Sequence, residues 1–230
     1  MSKPYFVYIV NHSGATQNYL FFNAPPYCTD PFYTPNVRKT LLPVWLTQPG
    51  VAPGGDKATF QASPEGFAVA GTTPASIVSG QVASVSSSMP VPLNGDFQHI
   101  TTHDLEVVNG VPRLNLSTFD FHKVYSFCIH SGAFNESEYH VFAGLGKHDD
   151  QNKVVPAAIW QAQPGQRYII TPRDKYFVSI GSHQQGTILG VENLGLFISI
   201  DFQDAPERAN VATITHHADG SFSATQWSFA

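Results

Sequence analysis

Apolar and polar residues alternate in short segments along almost the whole chain, and glycine, proline and asparagine separate these segments. Successive side chains of a strand point to opposite faces of a sheet, so this alternation predicts half-buried β-strands. No segment keeps the 3.6-residue period of an amphipathic helix. The sequence therefore predicts an all-β protein with little or no helix.

The segments are short, and turn residues recur roughly every 8 to 12 positions, a spacing typical of a β-sandwich. A small barrel is the alternative. The pairs Asn109-Gly110 and Asp219-Gly220 tolerate the positive φ angles of a type I′ turn, so each predicts a tight hairpin before a final strand.

Several short motifs occur twice in the same order. The strand that ends in His12-Ser-Gly resembles the one that ends in His130-Ser-Gly, and a Trp-x-x-Gln-Pro-Gly motif begins at Trp45 and again at Trp160. A series of matching anchors at a nearly constant offset indicates an internal repeat. We therefore expect two tandem, lectin-like β-sandwich repeats related by internal duplication, at residues 1–119 and 120–230.

Charged residues make up only 13% of the chain, the same share as aromatic residues, and the net charge is -5. The twelve Lys and Arg residues are scattered, so no basic stripe is available for a nucleic-acid backbone. No apolar run is long enough to cross a bilayer as a helix. These features predict no nucleic-acid partner, no transmembrane segment and a cytoplasmic location.

The chain lacks the common signatures of cofactor and metal sites. No phosphate loop, dinucleotide fingerprint, nucleophile elbow or paired-cysteine zinc motif is present. The two cysteines, Cys28 and Cys128, fall at different points of the two copies, which favours buried thiols over a disulfide framework. We expect no cofactor and no bound metal.

The sharpest cluster of titratable residues is His99-Ile-Thr-Thr-His103-Asp104. On a strand, residues four positions apart lie roughly 13 Å from each other, too far for one metal ion. His99, His103 and Asp104 are instead the candidates for acid-base catalysis. The acidic segment 147–150 is interpreted as an exposed loop.

Features that the two copies share are expected to be scaffold, so features found in one copy are the better candidates for a ligand site. The proline-rich and aromatic segment 24–35 has no counterpart in the second copy, where the matching loop is polar. This segment either walls a pocket or covers a sheet edge. The candidate ligand-binding residues are Tyr27, Phe32, Tyr33, Trp227, His12 and His130.

Low charge, abundant aromatics and duplication together favour a non-catalytic binding protein that recognises a neutral ligand such as a glycan. The chain resembles duplicated β-sandwich lectins in architecture and composition only. The first alternative is a cofactor-independent isomerase or cyclase that holds an apolar small molecule between the repeats. The second is a membrane-active β-sandwich protein. The oligomeric state stays open.

Overall fold

The computed structural model describes residues 3–29, 40–93, 101–117, 125–135 and 138–230. Within these residues the regular structure is almost entirely β, with a single turn of 3-10 helix at Val191–Asn193. The all-β prediction is therefore confirmed. The described strands are β1 (Tyr5–Asn11), β2 (Gln17–Asn23), β3 (Tyr27–Thr29), β4 (Leu42–Pro43), β5 (Leu46–Val51), β6 (Lys57–Ala62), β7 (Gly66–Thr72), β8 (Ser84–Val91), β9 (Thr101–Val108), β10 (Val111–Ser117), β11 (Phe127–Ser131), β12 (Val141–His148), β13 (Val154–Gln161), β14 (Arg167–Thr171), β15 (Lys175–Ile180), β16 (Ile188–Leu189), β17 (Phe197–Asp201), β18 (Val211–His216) and β19 (Gln226–Ser228).

These strands form four larger sheets and one short ladder. Sheet A has the order β19-β18-β1-β6, and sheet B has the order β17-β15-β2-β5. Sheet C has the order β10-β9-β11-β14-β3, and sheet D has the order β13-β12-β7-β8. Strands β4 and β16 pair only with each other among the described residues.

Sheets A and B enclose the first core, which we call the terminal sandwich. Aromatic rings dominate this core: the ring centroids of Phe21 and Phe60 lie 4.8 Å apart, and those of Phe21 and Tyr176 lie 5.2 Å apart. Trp45 is buried beside them. The inward residues alternate with exposed ones along β6, as the sequence pattern predicted.

Sheets C and D enclose the second core, which we call the central sandwich. Trp160 and Tyr168 pack here with ring centroids 5.4 Å apart, surrounded by aliphatic residues such as Leu105 and Ile129. The repeated tryptophans, Trp45 and Trp160, therefore lie in different cores. Burying such large side chains is a main source of stability in both.

The two sandwiches divide the chain in an unexpected way. Apart from β3, β4 and β16, the strands within residues 5–62 and 175–228 build the terminal sandwich, while those within residues 66–171 build the central sandwich together with β3. Parallel pairing joins β1 to β18 and β9 to β11, which brings strands from both sides of residue 120 into the same sheet. The sequence predicted a separate sandwich for each copy, whereas all four larger sheets combine strands from both sides of residue 120.

The ladder of β4 and β16 fills the space between the sandwiches. Leu42 and Leu189 belong to a cluster that covers the outer face of sheet B. Their neighbours in sequence, Leu41 and Ile188, belong to a cluster that covers the outer face of sheet D. Because adjacent residues face opposite sides, this short ladder joins both sandwiches through apolar contacts.

The described residues contain no helix with the length and hydrophobicity needed to cross a membrane.

Candidate functional site

Two sheet edges meet on one side of the terminal sandwich. Strand β6 is at the edge of sheet A and β5 is at the edge of sheet B. In the central sandwich, the inner strand β14 is covered by β3, which comes from the proline-rich segment and pairs with it in an antiparallel register. The described residues provide no such covering strand for β6.

A groove of about 680 Å³ lies at this uncovered edge. Its floor and one wall come from β5 and β6, and the turn between β12 and β13 forms the opposite wall, so both sandwiches contribute. Amide and carboxylate side chains dominate the lining, and no lysine or arginine belongs to its described lining. The lining includes Phe6, Gln48, Gln61, Glu65, Asp150 and Gln185.

The turn that forms the second wall is held by its own hydrogen bonds. The carboxylate of Asp149 accepts the backbone N–H groups of Gln151 and Lys153 at 3.0 and 2.8 Å. Asn152 takes a left-handed conformation with φ of 62°, which asparagine tolerates well. A turn fixed in this way gives the groove a preformed wall.

Trp45 connects the groove walls to each other. Its indole N–H donates to the backbone carbonyl of His148 at 2.9 Å. The side-chain amide of Gln185 donates to the carbonyl of Trp45 at 2.8 Å and lies 3.4 Å from the carboxylate of Asp149. These contacts tie β5, the β12–β13 turn and the segment around residue 185 into one rigid frame.

His148 and Glu65 both line the groove, with 3.8 Å between Nε2 and a carboxylate oxygen. Nδ1 of His148 lies 3.1 Å from the carbonyl of Asn152. Behind them, the buried Lys147 ammonium donates to the Ser63 carbonyl at 2.9 Å. Burial lowers the pKa of Lys147 to about 8, against the opposing effect of the carboxylates of Asp174 and Glu65.

The two candidate catalytic residues that the structure describes, His103 and Asp104, do not line this groove. His103 is completely buried, and neither ring nitrogen has a hydrogen-bond partner in the part of the chain that the structure describes. Burial lowers its pKa to about 4, partly opposed by Asp104. Asp104 projects from the other face of β9 and lies 3.0 Å from Nδ1 of His130 on β11. His99 lies outside the described residues.

The remaining predicted ligand residues that the structure describes lie apart from one another. Tyr27 is exposed on β3. The guanidinium carbon of Arg173 lies over the Tyr27 ring, 4.8 Å from the ring centroid. Trp227 packs against the terminal core with its ring 5.2 Å from that of Phe202. His12 is exposed at the end of β1. Phe32 and Tyr33 lie outside the described residues.

The repeated serines have structural roles. Ser13 donates to the side-chain oxygen of the buried Asn11 at 2.8 Å. Ser131 donates to the carbonyls of Gln163 and Gln166. Both serines therefore close the turns that follow their strands.

The described segments hold no group of three or more His, Cys, Asp or Glu residues that could bind a metal ion. Cys28 and Cys128 are not joined by a disulfide. Burial raises the pKa of the Cys128 thiol to about 11, which makes it a weak nucleophile.

The groove residues escaped the sequence analysis because they come from distant segments. Gln48, Gln61, Asp150 and Gln185 share no motif, and the turn at 147–150 was interpreted as an exposed loop. The one available signal was the contrast between this polar turn and the proline-rich segment at the matching position of the first copy.

No curated protein and no solved structure matches this chain. The model of the RhiA family matches residues 2–226, which is nearly the whole chain, and the protein therefore belongs to the RhiA family.

Proposed function

We propose that this protein is a non-catalytic, lectin-like binding protein that recognises a neutral glycan in the groove beside β6. The observation that carries the proposal is the groove itself, an open and polar depression with a preformed frame. Its amide side chains can both donate and accept hydrogen bonds, as sugar hydroxyls require. Its carboxylates, Glu65 and Asp150, can accept further bonds from hydroxyl groups.

An aromatic surface continues from the groove onto the outer face of sheet A. Phe6 lines the groove, and Tyr8 lies two residues along the same strand, with its ring centroid 6.5 Å from that of Phe6. Both rings are half-buried, flanked by the exposed Thr59 and Gln61 of β6. Flat apolar rings beside polar groups suit the apolar face of a sugar ring.

The enzyme alternative has less support. An apolar substrate would need an enclosed apolar cavity, whereas the groove is open and polar. Of the residues first considered for catalysis, His103 is buried in the central sandwich, and Asp104 pairs with His130 outside the groove. A ligand held in the groove would therefore contact neither His103 nor Asp104.

We also infer that the two halves of the chain arose by duplication. Support comes from the matching strand orders of sheets A and C, in which a hairpin (β18 with β19, β9 with β10) pairs in parallel with a single strand (β1, β11). Sheets B and D also match each other, because each joins two antiparallel strand pairs (β15 with β17 and β2 with β5; β7 with β8 and β12 with β13) through a further antiparallel pairing. Because β3 covers β14 but nothing described covers β6, we propose one glycan site rather than two.

The test is a glycan array probed with the labelled full chain, followed by calorimetric titration of any neutral glycan that binds. Gln61→Ala should weaken binding about tenfold, the effect of losing roughly 1.4 kcal/mol of hydrogen bonding. Gln226→Ala is the matched control, because Gln226 is an exposed glutamine at the opposite edge of the same sheet.

Wild type and the Gln226→Ala variant should bind equally. A negative array at high protein concentration would overturn the proposal. Equal effects of the two substitutions would also overturn it, because they would place the ligand away from the groove.

A further inference from the structure

The outer edge of β6 carries backbone groups that point away from its neighbour β1. In an antiparallel pair, one residue exchanges both backbone hydrogen bonds with the partner strand, and the next residue turns its groups to the other side. Asn11 donates to the carbonyl of Asp56 at 2.8 Å, and the same register continues along β6. Every second residue after Asp56 therefore bonds to β1, while the N–H and C=O groups of Thr59 and Gln61 point outward. Both residues line the groove, and neither has a backbone partner on that side among the described residues.

The edge of β14 in the central sandwich shows what such a row of backbone groups can bind. Ser131 of β11 donates to the carbonyl of Gln166 at 2.8 Å, so by the same alternation Ile169 and Thr171 turn their backbone groups away from β11. The chain's own extended segment β3 pairs with these two residues in an antiparallel register. An edge of this kind therefore accepts an extended strand within this molecule.

The groove beside β6 is acidic. Glu65, Asp149 and Asp150 belong to its lining, and no lysine or arginine does so among the described residues. The carboxylate of Asp149 is engaged by the N–H groups of its own turn, whereas Glu65 and Asp150 are exposed. Carboxylates in a cleft without lysine or arginine attract positively charged side chains.

We propose that the edge of β6 binds an extended, basic segment of a partner protein, which adds to sheet A as a further antiparallel strand. Strand addition of this kind takes its affinity from backbone hydrogen bonds and its specificity from alternate side chains. Only one set of alternate side chains can face the carboxylates of the groove, so we expect Lys or Arg at every second position of the segment. This inference goes beyond the proposed function. The strand and the glycan would occupy the same groove, so the two ligands should exclude each other.

The test begins with phage-displayed linear octapeptides selected on the full chain, and the affinities of the selected peptides are then measured by calorimetric titration. Thr59→Pro removes an N–H group that the pairing of β1 with β6 does not use, at an edge strand where proline is tolerated. It should weaken peptide binding at least about tenfold.

Ser199→Pro is the matched control. Ser199 is an exposed residue of the edge strand β17. Phe202 donates to the carbonyl of Asp174 at 2.9 Å, so by alternation the backbone groups of Ser199 also point away from the neighbouring strand. This variant removes an equivalent N–H group outside the groove and should bind the peptides as wild type does.

The contribution of charge is measured separately. The double variant Glu65→Gln, Asp150→Asn should bind the selected peptides several-fold more weakly, as expected for exposed ion pairs. The double variant Asp204→Asn, Glu207→Gln removes two exposed carboxylates outside the groove and should change nothing.

Modified peptides test the same hydrogen bonds without any change to the protein. N-methylation of the peptide at alternate positions should abolish binding in one register and leave it unchanged in the other, because only every second N–H group of an added strand faces β6. This measurement on wild type decides the question even if Thr59→Pro unfolds in a thermal unfolding experiment.

The proposal is overturned if no peptide is selected, if the selected peptides lack basic residues, or if N-methylation in either register has the same effect. It is also overturned if sedimentation shows a dimer of the chain that Thr59→Pro converts to a monomer, because the edge would then bind a second copy. None of these results affects the glycan proposal, which the glycan array tests by itself, and a negative array leaves peptide binding untouched.

Discussion

A buried neutral histidine should make this fold lose stability steeply in mild acid. His103 has no exposed surface, and its two ring nitrogens lack hydrogen-bond partners among the described residues. Burial lowers its pKa to about 4, whereas the same side chain in the unfolded chain binds a proton near pH 6.5. The unfolded state therefore holds one more proton than the folded state between these two values.

The sign and the size of the effect follow from this difference. Above pH 6.5 His103 is neutral in both states, so its protonation takes nothing from the free energy of unfolding. As the pH falls towards 4, the unfolded chain binds the proton first, and the free energy of unfolding decreases. A difference of 2.5 pH units, at 1.36 kcal/mol each, corresponds to a loss of about 3 kcal/mol. Such a loss is a large part of the stability of a typical protein.

Replacing His103 by leucine should remove this acid sensitivity. The substitution also removes two buried polar atoms without partners, so the variant should be at least as stable as wild type at pH 7. Urea unfolding followed by tryptophan fluorescence, from pH 7 down to about pH 4.5, measures both effects. His183→Asn, at an exposed histidine, is the control and should follow wild type. If wild type and His103→Leu lose the same free energy of unfolding between pH 7 and about pH 4.5, His103 is not the source of the acid sensitivity.

Three further predictions test other parts of the fold. Lys147→Met should abolish a gain of about 2 kcal/mol that wild type shows in urea unfolding between pH 8 and pH 9.5, because folded Lys147 loses its proton near pH 8 and the unfolded side chain near 10.5. Tyr19→Phe should cost about 1 to 3 kcal/mol in the same assay, because it removes the hydroxyl that lies 2.9 Å from Nδ1 of the buried His216. The fragments 1–119 and 120–230 should each be largely unfolded by circular dichroism when expressed alone and should regain β-structure when mixed, because all four larger sheets need strands from both. An independently folded fragment would contradict the shared sheets.

The strands themselves could be predicted from the sequence because strand periodicity is local. Alternation along a segment such as β6 reports which face is buried, whatever its neighbours are. The burial of Trp45 and Trp160 was predictable for a similar reason, since a large aromatic residue at matching points of a repeat is usually part of a core. Neither inference requires knowledge of which strand pairs with which.

Strand pairing could not be predicted in the same way. Val7 pairs with Ala212 across the parallel junction of β1 and β18, more than two hundred residues away along the chain. The sequence of β1 fits an antiparallel neighbour equally well, and it has one in β6. The alternation along β1 is the same beside either neighbour, so only packing in the assembled cores selects its partners. The sequence of β1 therefore carries no local signal that the two halves of the chain share their sheets.

The candidate site shows the same limit. Strand geometry already implies that His103 and Asp104 point to opposite faces, so their separation was predictable from adjacency alone. By contrast, Gln61 and Gln185 are separated by more than a hundred residues and meet only because the β12–β13 turn reaches the edge of the other sandwich. A binding site made of isolated side chains from several turns and edges has no motif to recognise.

The proline-rich segment 24–35 bears on both the strand pairing and the location of the candidate site. Its lack of a counterpart in the second half of the chain first suggested a pocket wall, yet the described part of it, β3, pairs with β14 and becomes the outer strand of sheet C in its place. An edge that is covered by the chain's own strand cannot also hold a ligand along its backbone. The matching position in the second copy is the polar turn at 148–152, which stands beside β6 without pairing to it and leaves the groove open. Under the proposed duplication, the second copy lacks a strand that covers β6, and this difference supports the proposed glycan groove at β6 rather than at the aromatic segment.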